Sequence, residues 1–495
     1  MPNLTVRSLY MVFSSLIFLY AFLPLSLLVY VLCRGREAKN MSLLVFSLIF
    51  YAWGEPKYVL LLMFMSLCSW FCALRVEKAD SQGRRKLWVA VSCAIDIALI
   101  GFFKYAGLVC SVFGQVPEFV ANIALPIGIS FYTFQLLTYV VDVYRGDAEA
   151  QPSYLNVLLY ASLFHQCVAG PIVRYKTIAH ELFVERDSRD ILPGISRFTV
   201  GLAKKTLLAN PCGALADQLL LTTDAASNAS LFSENLASLS GLSALGAWVG
   251  VAAFMMQIYL DFSAYSDMAI GMGRMLGLHY LENFDYPYLS KTVTEFWRRW
   301  HISLGTFFRD YVYIPLGGRQ CSKARSVLNL FIVWALTGLW HGAHWNFVLW
   351  GLYFFVFILI ERLFLKRLFE KLHILPHIYL LFVVFAGWIL FHFTDVRLGW
   401  TVFLGLFGAN GNAGTDFVSV TLLRNNVFLL AVSAIACTPL VKTMANGAAR
   451  RLRRSRAGTR LHDFAAYILF PILLLLLSTA SLVGDSYNPF IYFQF

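Results

Sequence analysis

Long uncharged apolar runs recur from one end of the chain to the other, and they constrain the fold more than any other feature. The first run, from Ser8 to Leu32, contains no charged residue. A helix needs about 20 apolar residues to cross the hydrocarbon core of a membrane. This run is longer than the apolar core of a secretory signal and is followed by more runs, so we expect it to be retained. The sequence therefore predicts a helical protein that crosses the membrane many times.

The composition agrees with one polytopic membrane domain. Of the 495 residues, 59% are hydrophobic and only 14% are charged, whereas about a quarter are charged in soluble proteins. The net charge of +12 comes largely from short connectors between apolar runs, which indicates signals for membrane topology and no nucleic-acid partner. The nine cysteines are scattered without a CxxC pair, so we expect neither a structural metal nor a disulfide framework.

Twelve segments are candidates for membrane spans, although some are short. They are 8–32, 41–53, 57–75, 87–109, 121–142, 196–221, 242–277, 327–340, 345–361, 376–397, 426–445 and 463–483.

Connectors rich in Lys and Arg alternate with connectors that are poor in them. Basic residues cluster in 33–40, 76–86, 362–371 and 450–460, whereas 222–241 contains none. By the positive-inside rule the basic connectors are cytoplasmic, which puts both termini outside.

Two further segments do not fit a simple crossing. A full crossing by 153–172 would invert this pattern, so we expect a re-entrant or in-plane helix there, which protein or a water-filled cavity must surround. The polar and aromatic stretch 279–326 predicts amphipathic helices at the cytoplasmic interface. The glycines of GMGRMLG (271–277) follow no predicted strand, and we interpret them as small residues that allow close helix packing.

Ionisable residues at membrane depth are functional candidates, because they are costly there unless they are solvated or paired. They are Asp96, Lys104, Asp142, Asp261, Asp267, His341, His344 and Glu361. Asp142 and Glu361 lie near expected helix ends, where they could reach water. Asp96 and Lys104 are eight residues apart, which suits a structural pair as well as a role.

Two histidines are the sharper candidates. His341, in LTGLWHGAHWNFVLWG, lies at the expected turn between two short helical arms. A neutral imidazole with a pKa near 6.5 can accept a proton from a hydroxyl, although a histidine bonded to a nearby carbonyl fits the spacing too. His301, in TEFWRRWHISL, is expected on an interfacial helix with Arg298 near it by i,i+3 spacing; an exposed interfacial histidine is the alternative. His344 follows His341 by three residues, but a zinc site would need a third ligand, so no metal is expected.

Eight segments together resemble the membrane-bound O-acyltransferase family, and within it the alginate O-acetylation branch. They are MVFSSLIFLYAFLP, LPIGISFYTFQLLTYVVDVYRG, AGPIVRY, GLAKKTLLAN, QIYLDFSAYSDMAIG, FWRRWHISLGTFFRDYVYIPLGG, TGLWHGAHWNFVLWG and the tail NPFIYFQF.

The resemblance implies an all-α fold of roughly 11–12 transmembrane helices plus re-entrant and interfacial helices around a central tunnel. One domain would cover 1–495, with N-terminal helices in 8–145, a catalytic core in 153–361 and C-terminal helices in 376–495. The two family histidines correspond to His341 and His301. Further donor-binding or tunnel-lining candidates are Trp297, Arg298, Asp267, Asp310, Tyr313, Trp340 and Asn346.

The implied activity is transfer of an acetyl group from a cytoplasmic thioester, acetyl-CoA or another acyl thioester, with no tightly bound cofactor. The acetyl group would cross the plasma membrane, the inner membrane in a Gram-negative cell, for exported acetyltransferase partners and polysaccharide secretion machinery. A basic entrance would suit the phosphates of a coenzyme; its residues are Arg298, Arg299, Arg309, Arg319, Lys323 and Arg325. His341 would act as general base or transient acyl carrier, and His301 would position the donor.

Three alternatives remain open. The first is transfer of D-alanine from a carrier protein to teichoic acid by a sister branch. The second is a transporter or channel, and the third is a non-enzymatic scaffold of a polysaccharide secretion complex, in which both histidines would be dispensable. The acceptor glycan also stays open, with alginate leading and cellulose, peptidoglycan or another exopolysaccharide possible.

Overall fold

The structure is a computed structural model that describes residues 11–168, 170–186, 189–221, 229–484 and 487–489. Every regular element within these residues is helical, so the all-α expectation is confirmed. Residues 8–10 of the first apolar run, Ala169 of the AGPIVRY motif, residues 222–228 of the uncharged connector and most of the NPFIYFQF tail lie outside the described residues.

Seven described helices are long and apolar enough to cross a membrane, which confirms the polytopic expectation. They are Val59–Lys78, Gln82–Phe113, Ala244–Met275, Trp345–Leu365, Leu375–His392, Phe417–Ala436 and Arg456–Gly484. Phe18–Leu32 is a shorter apolar helix. The expected total of 11–12 spans includes segments that are shorter or more polar than these, and it stays a prediction.

The described chain forms two compact units. The N-terminal unit comprises described residues within Met1–Leu202, Tyr265–Glu282 and Tyr467–Leu482, and the C-terminal unit comprises those within Ala203–Ala264, Asn283–Ala466 and Val483–Phe495. The expected division into 8–145, 153–361 and 376–495 within one domain stays a prediction.

The N-terminal unit is a bundle of helices of unequal length. Besides the spans it contains Arg36–Gly54, Glu118–Ala121, Ile129–Arg145, Tyr154–Ser162, Tyr175–Phe183 and Ile191–Ala203. The segment 153–172 begins with the nine-residue helix Tyr154–Ser162, which is too short to cross the membrane, as expected. A Cβ at Gly271 would lie 2.6 Å from the backbone nitrogen of Phe198, so this glycine of the 271–277 segment serves close packing.

The C-terminal unit contains residues 283–326 of the polar and aromatic stretch, and the helical hairpin of Lys323–His341 and Trp345–Leu365, whose turn carries His341. Its further helices are Lys204–Ala209, Asn210–Leu220, Ala229–Ser240, Pro287–Leu289, Val293–Arg299, Ile302–Phe308, Arg309–Tyr313, Lys323–His341, Lys366–Phe369, Val396–Gly405, Leu440–Leu452 and Arg456–Phe464. The stretch 279–326 therefore forms helices, as the sequence predicts, and their location at the cytoplasmic interface stays a prediction.

Two glycines bring the backbones of Lys323–His341 and Trp345–Leu365 together. A Cβ at Gly338 would lie 2.4 Å from the carbonyl oxygen of Phe347, and a Cβ at Gly351 would lie 2.4 Å from that of Trp334. These opposing atoms belong to the backbone, so a side chain at either glycine would push the helices apart. Small residues allow such close approach of membrane helices.

In the N-terminal unit, His279 connects two carboxylates from different parts of the chain. Its ring Nδ1 lies 2.8 Å from Glu181 Oε1, and its Nε2 lies 2.9 Å from Asp190 Oδ2. The backbone N–H of His279 also donates to Glu181 Oε2 at 2.8 Å. Hydrogen bonds to Asp190 first, and then to Glu181, raise the pKa of His279 above its ordinary value of 6.5.

We expect Gly351→Ala to destabilise the protein by about 1–3 kcal/mol, the usual cost of forcing extra volume into a packed interior. Thermal unfolding of the purified protein in detergent measures this change. Gly447→Ala is the matched control, because a Cβ at Gly447 meets nothing within 4 Å. Equal unfolding temperatures for the two variants would contradict the close-packing account.

The His279 contacts should stabilise the protein more at low pH than at high pH. Because folding raises the pKa of His279, the stabilisation is complete below the unfolded value of about 6.5 and is lost as the pH rises through the folded value. His279→Gln should therefore lower the unfolding temperature at about pH 6 and have little effect at about pH 9. His373→Gln, at an exposed position, is the control; a pH-independent effect of His279→Gln would refute the prediction.

Candidate active site

Two histidines of the C-terminal unit lie on either side of one tryptophan. The ring centroid of Trp340 is 5.7 Å from that of His301 and 4.8 Å from that of His341. Both histidines are almost fully buried, with 2% and 3% of their surface exposed. The two sequence candidates, which are 40 positions apart in the chain, thus belong to one cluster together with the candidate Trp340.

His341 is the last residue of helix Lys323–His341, at the turn where the sequence places it. Aromatic rings from the next two spans surround its imidazole. The ring centroid of Trp350 lies 4.9 Å away and that of Phe391 lies 5.2 Å away, both near perpendicular to the imidazole. Edge and face contacts of this kind fix the orientation of a ring. The surroundings therefore hold His341 in one position and shield it from bulk water.

His301 lies between two helices, and the expectation that it shares an interfacial helix with Arg298 is wrong. The first helix ends at Arg299, and His301 then adopts a left-handed conformation with φ +45° before Ile302–Phe308 begins. Arg298 is exposed whereas His301 is buried, which also excludes the exposed interfacial alternative. A non-glycine residue with positive φ is uncommon and costs on the order of 1–3 kcal/mol.

Asn283 supports this strained turn from the other side. Its carbonyl oxygen accepts from the backbone N–H of Ile302 at 2.9 Å, and its Oδ1 accepts from the backbone N–H of Ser303 at 3.1 Å and from the Ser303 hydroxyl at 2.9 Å. These bonds define where the chain reverses and so fix the position of His301.

The His301 imidazole is neutral and has one nitrogen available. Nδ1 lies 3.4 Å from the Ser303 hydroxyl, and buried Nε2 has no hydrogen-bond partner among the described residues. Burial lowers the pKa of His301 to about 3, because a low-dielectric environment disfavours the charged form. A buried polar atom without a partner is costly, so Nε2 is suited to bind a group from outside the chain.

Trp297 connects the His301 segment to the helical hairpin of His341. Its indole lies 5.0 Å from Trp334, 5.3 Å from Trp350 and 4.9 Å from Phe354 by ring centroids. Its buried Nε1 has no acceptor among the described residues. The candidate Trp297 therefore belongs to the same aromatic cluster as the two histidines.

Glu361, one of the ionisable candidates, supports this site in a role that the sequence does not indicate. The sequence suggests that this residue could reach water, but it is only 6% exposed. Its carboxylate accepts from the backbone N–H of Val293 at 2.5 Å and from the backbone N–H and hydroxyl of Thr294, each at 3.2 Å. It thereby caps the N-terminus of the helix that carries Trp297, where negative charge is favourable. The T-x-x-E pattern of Thr292 and Glu295 marks this helix start in the sequence, although it does not identify Glu361.

The remaining tunnel-lining candidates make contacts of their own. Asn346 donates to the carbonyl oxygens of Leu390 and Phe391 at 3.2 and 3.4 Å, which ties two spans together. Asp310 accepts from the guanidinium of Arg309 at 2.6 Å, and the Tyr313 hydroxyl lies 3.5 Å from that of Ser326. Asp267 belongs to the N-terminal unit, where it accepts from Arg197 at 2.7 Å.

Three of the other intramembrane candidates, Asp261, Lys104 and Asp142, make structural contacts, whereas neither carboxylate oxygen of buried Asp96 has a hydrogen-bond partner among the described residues. In the C-terminal unit the Lys205 ammonium lies 3.0 Å from the Asp261 carboxylate and also donates to the carbonyl oxygen of Pro489. In the N-terminal unit Lys104 donates to Ser130 at 3.4 Å. Asp142 is fully buried beside Lys176 at 3.4 Å and, contrary to expectation, does not reach water.

Part of the expected basic entrance is neutralised locally. Arg299 pairs with Glu295 at 2.8 Å, and Arg309 pairs with Asp310. Arg298, Arg319, Lys323 and Arg325 are exposed. Within the described part of the chain, no group of three or more His, Cys, Asp or Glu side chains could hold a metal ion.

Comparison with known proteins agrees with the resemblance seen in the motifs. A model of the membrane-bound O-acyltransferase family matches residues 45–403. The probable alginate O-acetylase of Azotobacter vinelandii is 33% identical, over 98% of this chain and 100% of the relative. The corresponding protein of Pseudomonas aeruginosa is 32% identical over the same shares. The peptidoglycan O-acetyltransferase of Helicobacter pylori is 30% identical, over 82% of this chain and 81% of the relative. The chain therefore belongs to the membrane-bound O-acyltransferase family and is an integral membrane O-acyltransferase.

Proposed function

We propose that the protein moves an acetyl group from a cytoplasmic thioester, acetyl-CoA or another acyl thioester, across the membrane for O-acetylation of an exopolysaccharide. Alginate is the leading glycan, since relatives that cover 98% of the chain are named probable alginate O-acetylases. The observation that carries the proposal is the packing of His301 and His341 against Trp340. Peptidoglycan is the second candidate acceptor, on the name of the Helicobacter pylori relative.

In this proposal His341 acts as the general base or as a transient acyl carrier. As a base, it takes the proton of the acceptor hydroxyl while the oxygen attacks the thioester carbonyl, and the proton then passes to the departing thiolate. As a carrier, a ring nitrogen attacks the thioester carbonyl and expels the thiolate, which takes the proton of the other ring nitrogen. The acceptor hydroxyl then attacks the acetyl-imidazole, and its proton returns to the ring as the imidazole leaves. The aromatic rings of Trp350 and Phe391 limit access of water, which protects the thioester from hydrolysis.

His301 positions the donor in this scheme. A neutral imidazole can donate one hydrogen bond from one nitrogen and accept one at the other. Its available Nε2 is suited to hydrogen-bond the thioester group. The exposed residues Arg298, Lys323 and Arg325 would bind the phosphates of the coenzyme, for which guanidinium groups offer paired donors.

The proposal extends to location and partners. Basic connectors on one side of the spans support an orientation in the plasma membrane, the inner membrane in a Gram-negative cell, with both termini outside. Exported acetyltransferases and the polysaccharide secretion machinery would receive the acetyl group. The donor is a substrate in this scheme, and no tightly bound cofactor is needed.

We expect His341→Ala to lower acetyl transfer at least about a hundredfold, since a positioned general base contributes roughly 10²–10⁴ in rate. The measurement uses the purified protein with radiolabelled acetyl-CoA, an exported acetyltransferase partner and the glycan. His344→Ala is the matched control, because His344 is exposed three residues away. Membrane yield and unfolding temperature verify that both variants fold.

Retained transfer by folded His341→Ala would refute the catalytic role and favour a scaffold. Transfer from a D-alanyl carrier protein to teichoic acid, with none from acetyl-CoA, would refute the acetyl donor and favour the sister activity.

Glu361 should affect turnover through the helix that it caps. Glu361→Ala leaves the amides of Val293 and Thr294 without their acceptor, which costs on the order of 1–3 kcal/mol in a buried position. We expect kcat to fall about tenfold or more with a smaller change in donor KM, and Glu361→Gln to restore part of kcat because it keeps one acceptor oxygen. Exposed Glu370→Ala is the control; wild-type kcat in Glu361→Ala would contradict the positioning role.

A further inference from the structure

The connector between spans Phe417–Ala436 and Arg456–Gly484 carries an unusual charge. Residues 437–464 contain seven Lys and Arg residues and one acidic residue. The connector folds into two helices, Leu440–Leu452 and Arg456–Phe464. Because the second helix continues directly into a span, this basic connector (residues 437–464) lies at the membrane surface.

Among the residues that the structure describes, most of this positive charge has no counter-charge. Asp463, the single acidic residue, is 3.2 Å from the Arg453 guanidinium and 2.9 Å from the His462 ring. The six other basic side chains are exposed and make no ion pair within the described residues; they are Lys442, Arg450, Arg451, Arg454, Arg456 and Arg460. Their charge is therefore available to an external anion.

The same helices expose apolar side chains beside the basic ones. Leu440 and Met444 are four residues apart on one face of the first helix, and Leu452 is its last residue; their exposures are 51%, 66% and 38%. On the second helix Leu461 and Phe464 are 57% and 51% exposed. A helix with an apolar face and a basic face, held at a membrane surface, lies in the interface with its apolar face in the lipid.

We propose that the basic connector binds anionic phospholipid headgroups such as phosphatidylglycerol. The guanidinium groups supply paired donors for phosphate oxygens, and the apolar faces reach the acyl chains of the same lipids. A topology signal requires positive charge alone, so it does not account for the exposed apolar faces beside that charge. An acidic protein would complement the charge but not these faces, which already lie next to the bilayer. The inference goes beyond acyl transfer and does not rest on it.

Lipid binding can be measured on the full-length protein, purified in neutral detergent and stripped of lipid. We titrate it with phosphatidylglycerol or with phosphatidylcholine, and follow bound lipid by native mass spectrometry. The test variant is Arg450→Gln, Arg451→Gln and Arg454→Gln combined. The matched control combines Arg34→Gln, Arg84→Gln and Lys86→Gln, which removes three exposed charges from other basic connectors.

We expect the wild-type protein and the control to prefer phosphatidylglycerol, and the test variant to lose that preference. Each basic residue near an anionic surface favours binding roughly fivefold, so removal of three should lower the affinity for phosphatidylglycerol by about a hundredfold. An equal loss in the control variant would overturn the assignment of the site to this connector. If soluble glycerol 3-phosphate competed for the site as well as phosphatidylglycerol does, the assignment of the ligand as an intact lipid would be overturned. The lipid assignment would also be overturned if the wild-type protein bound an acidic protein and showed no preference for phosphatidylglycerol over phosphatidylcholine.

Discussion

Close backbone contact between helices Lys323–His341 and Trp345–Leu365 determines where the candidate active site lies. Gly338 and Gly351 each face a backbone carbonyl of the opposite helix at a distance that excludes any side chain. The hairpin therefore holds its turn, and with it His341, against the rings of Trp350 and Phe391. If the helices separated, the imidazole would lose the walls that orient it and shield it from water.

The part of the site that contains Trp297 and His301 is held in place by polar contacts. Glu361, at the far end of the same hairpin, caps the helix that carries Trp297, and Asn283 fixes the turn that follows. Buried polar groups with satisfied hydrogen bonds rigidify their surroundings. Packing thus places His341, while buried hydrogen bonds place His301, and Trp340 is the ring that both approach.

The sequence predicts the helical class, the turn at His341 and the short helix within 153–172, because apolar run length and local charge determine these features. It does not predict the left-handed backbone of His301, since an interfacial pattern such as TEFWRRWHISL is compatible with one continuous helix. The role of Glu361 depends on a contact 68 positions away along the chain, which no local pattern encodes. The shared packing of His301 and His341 around Trp340 also arises only from the tertiary fold.

At His301 the left-handed backbone lowers the stability of the protein, whereas the proposed chemistry requires the imidazole at that position. Glycine and, to a lesser degree, asparagine adopt this conformation at lower cost than histidine. A screen that rewards heat resistance alone would therefore enrich glycine there and discard the imidazole. To engineer a more thermostable enzyme from this protein, His301 has to be kept and stabilising substitutions have to be chosen at other positions.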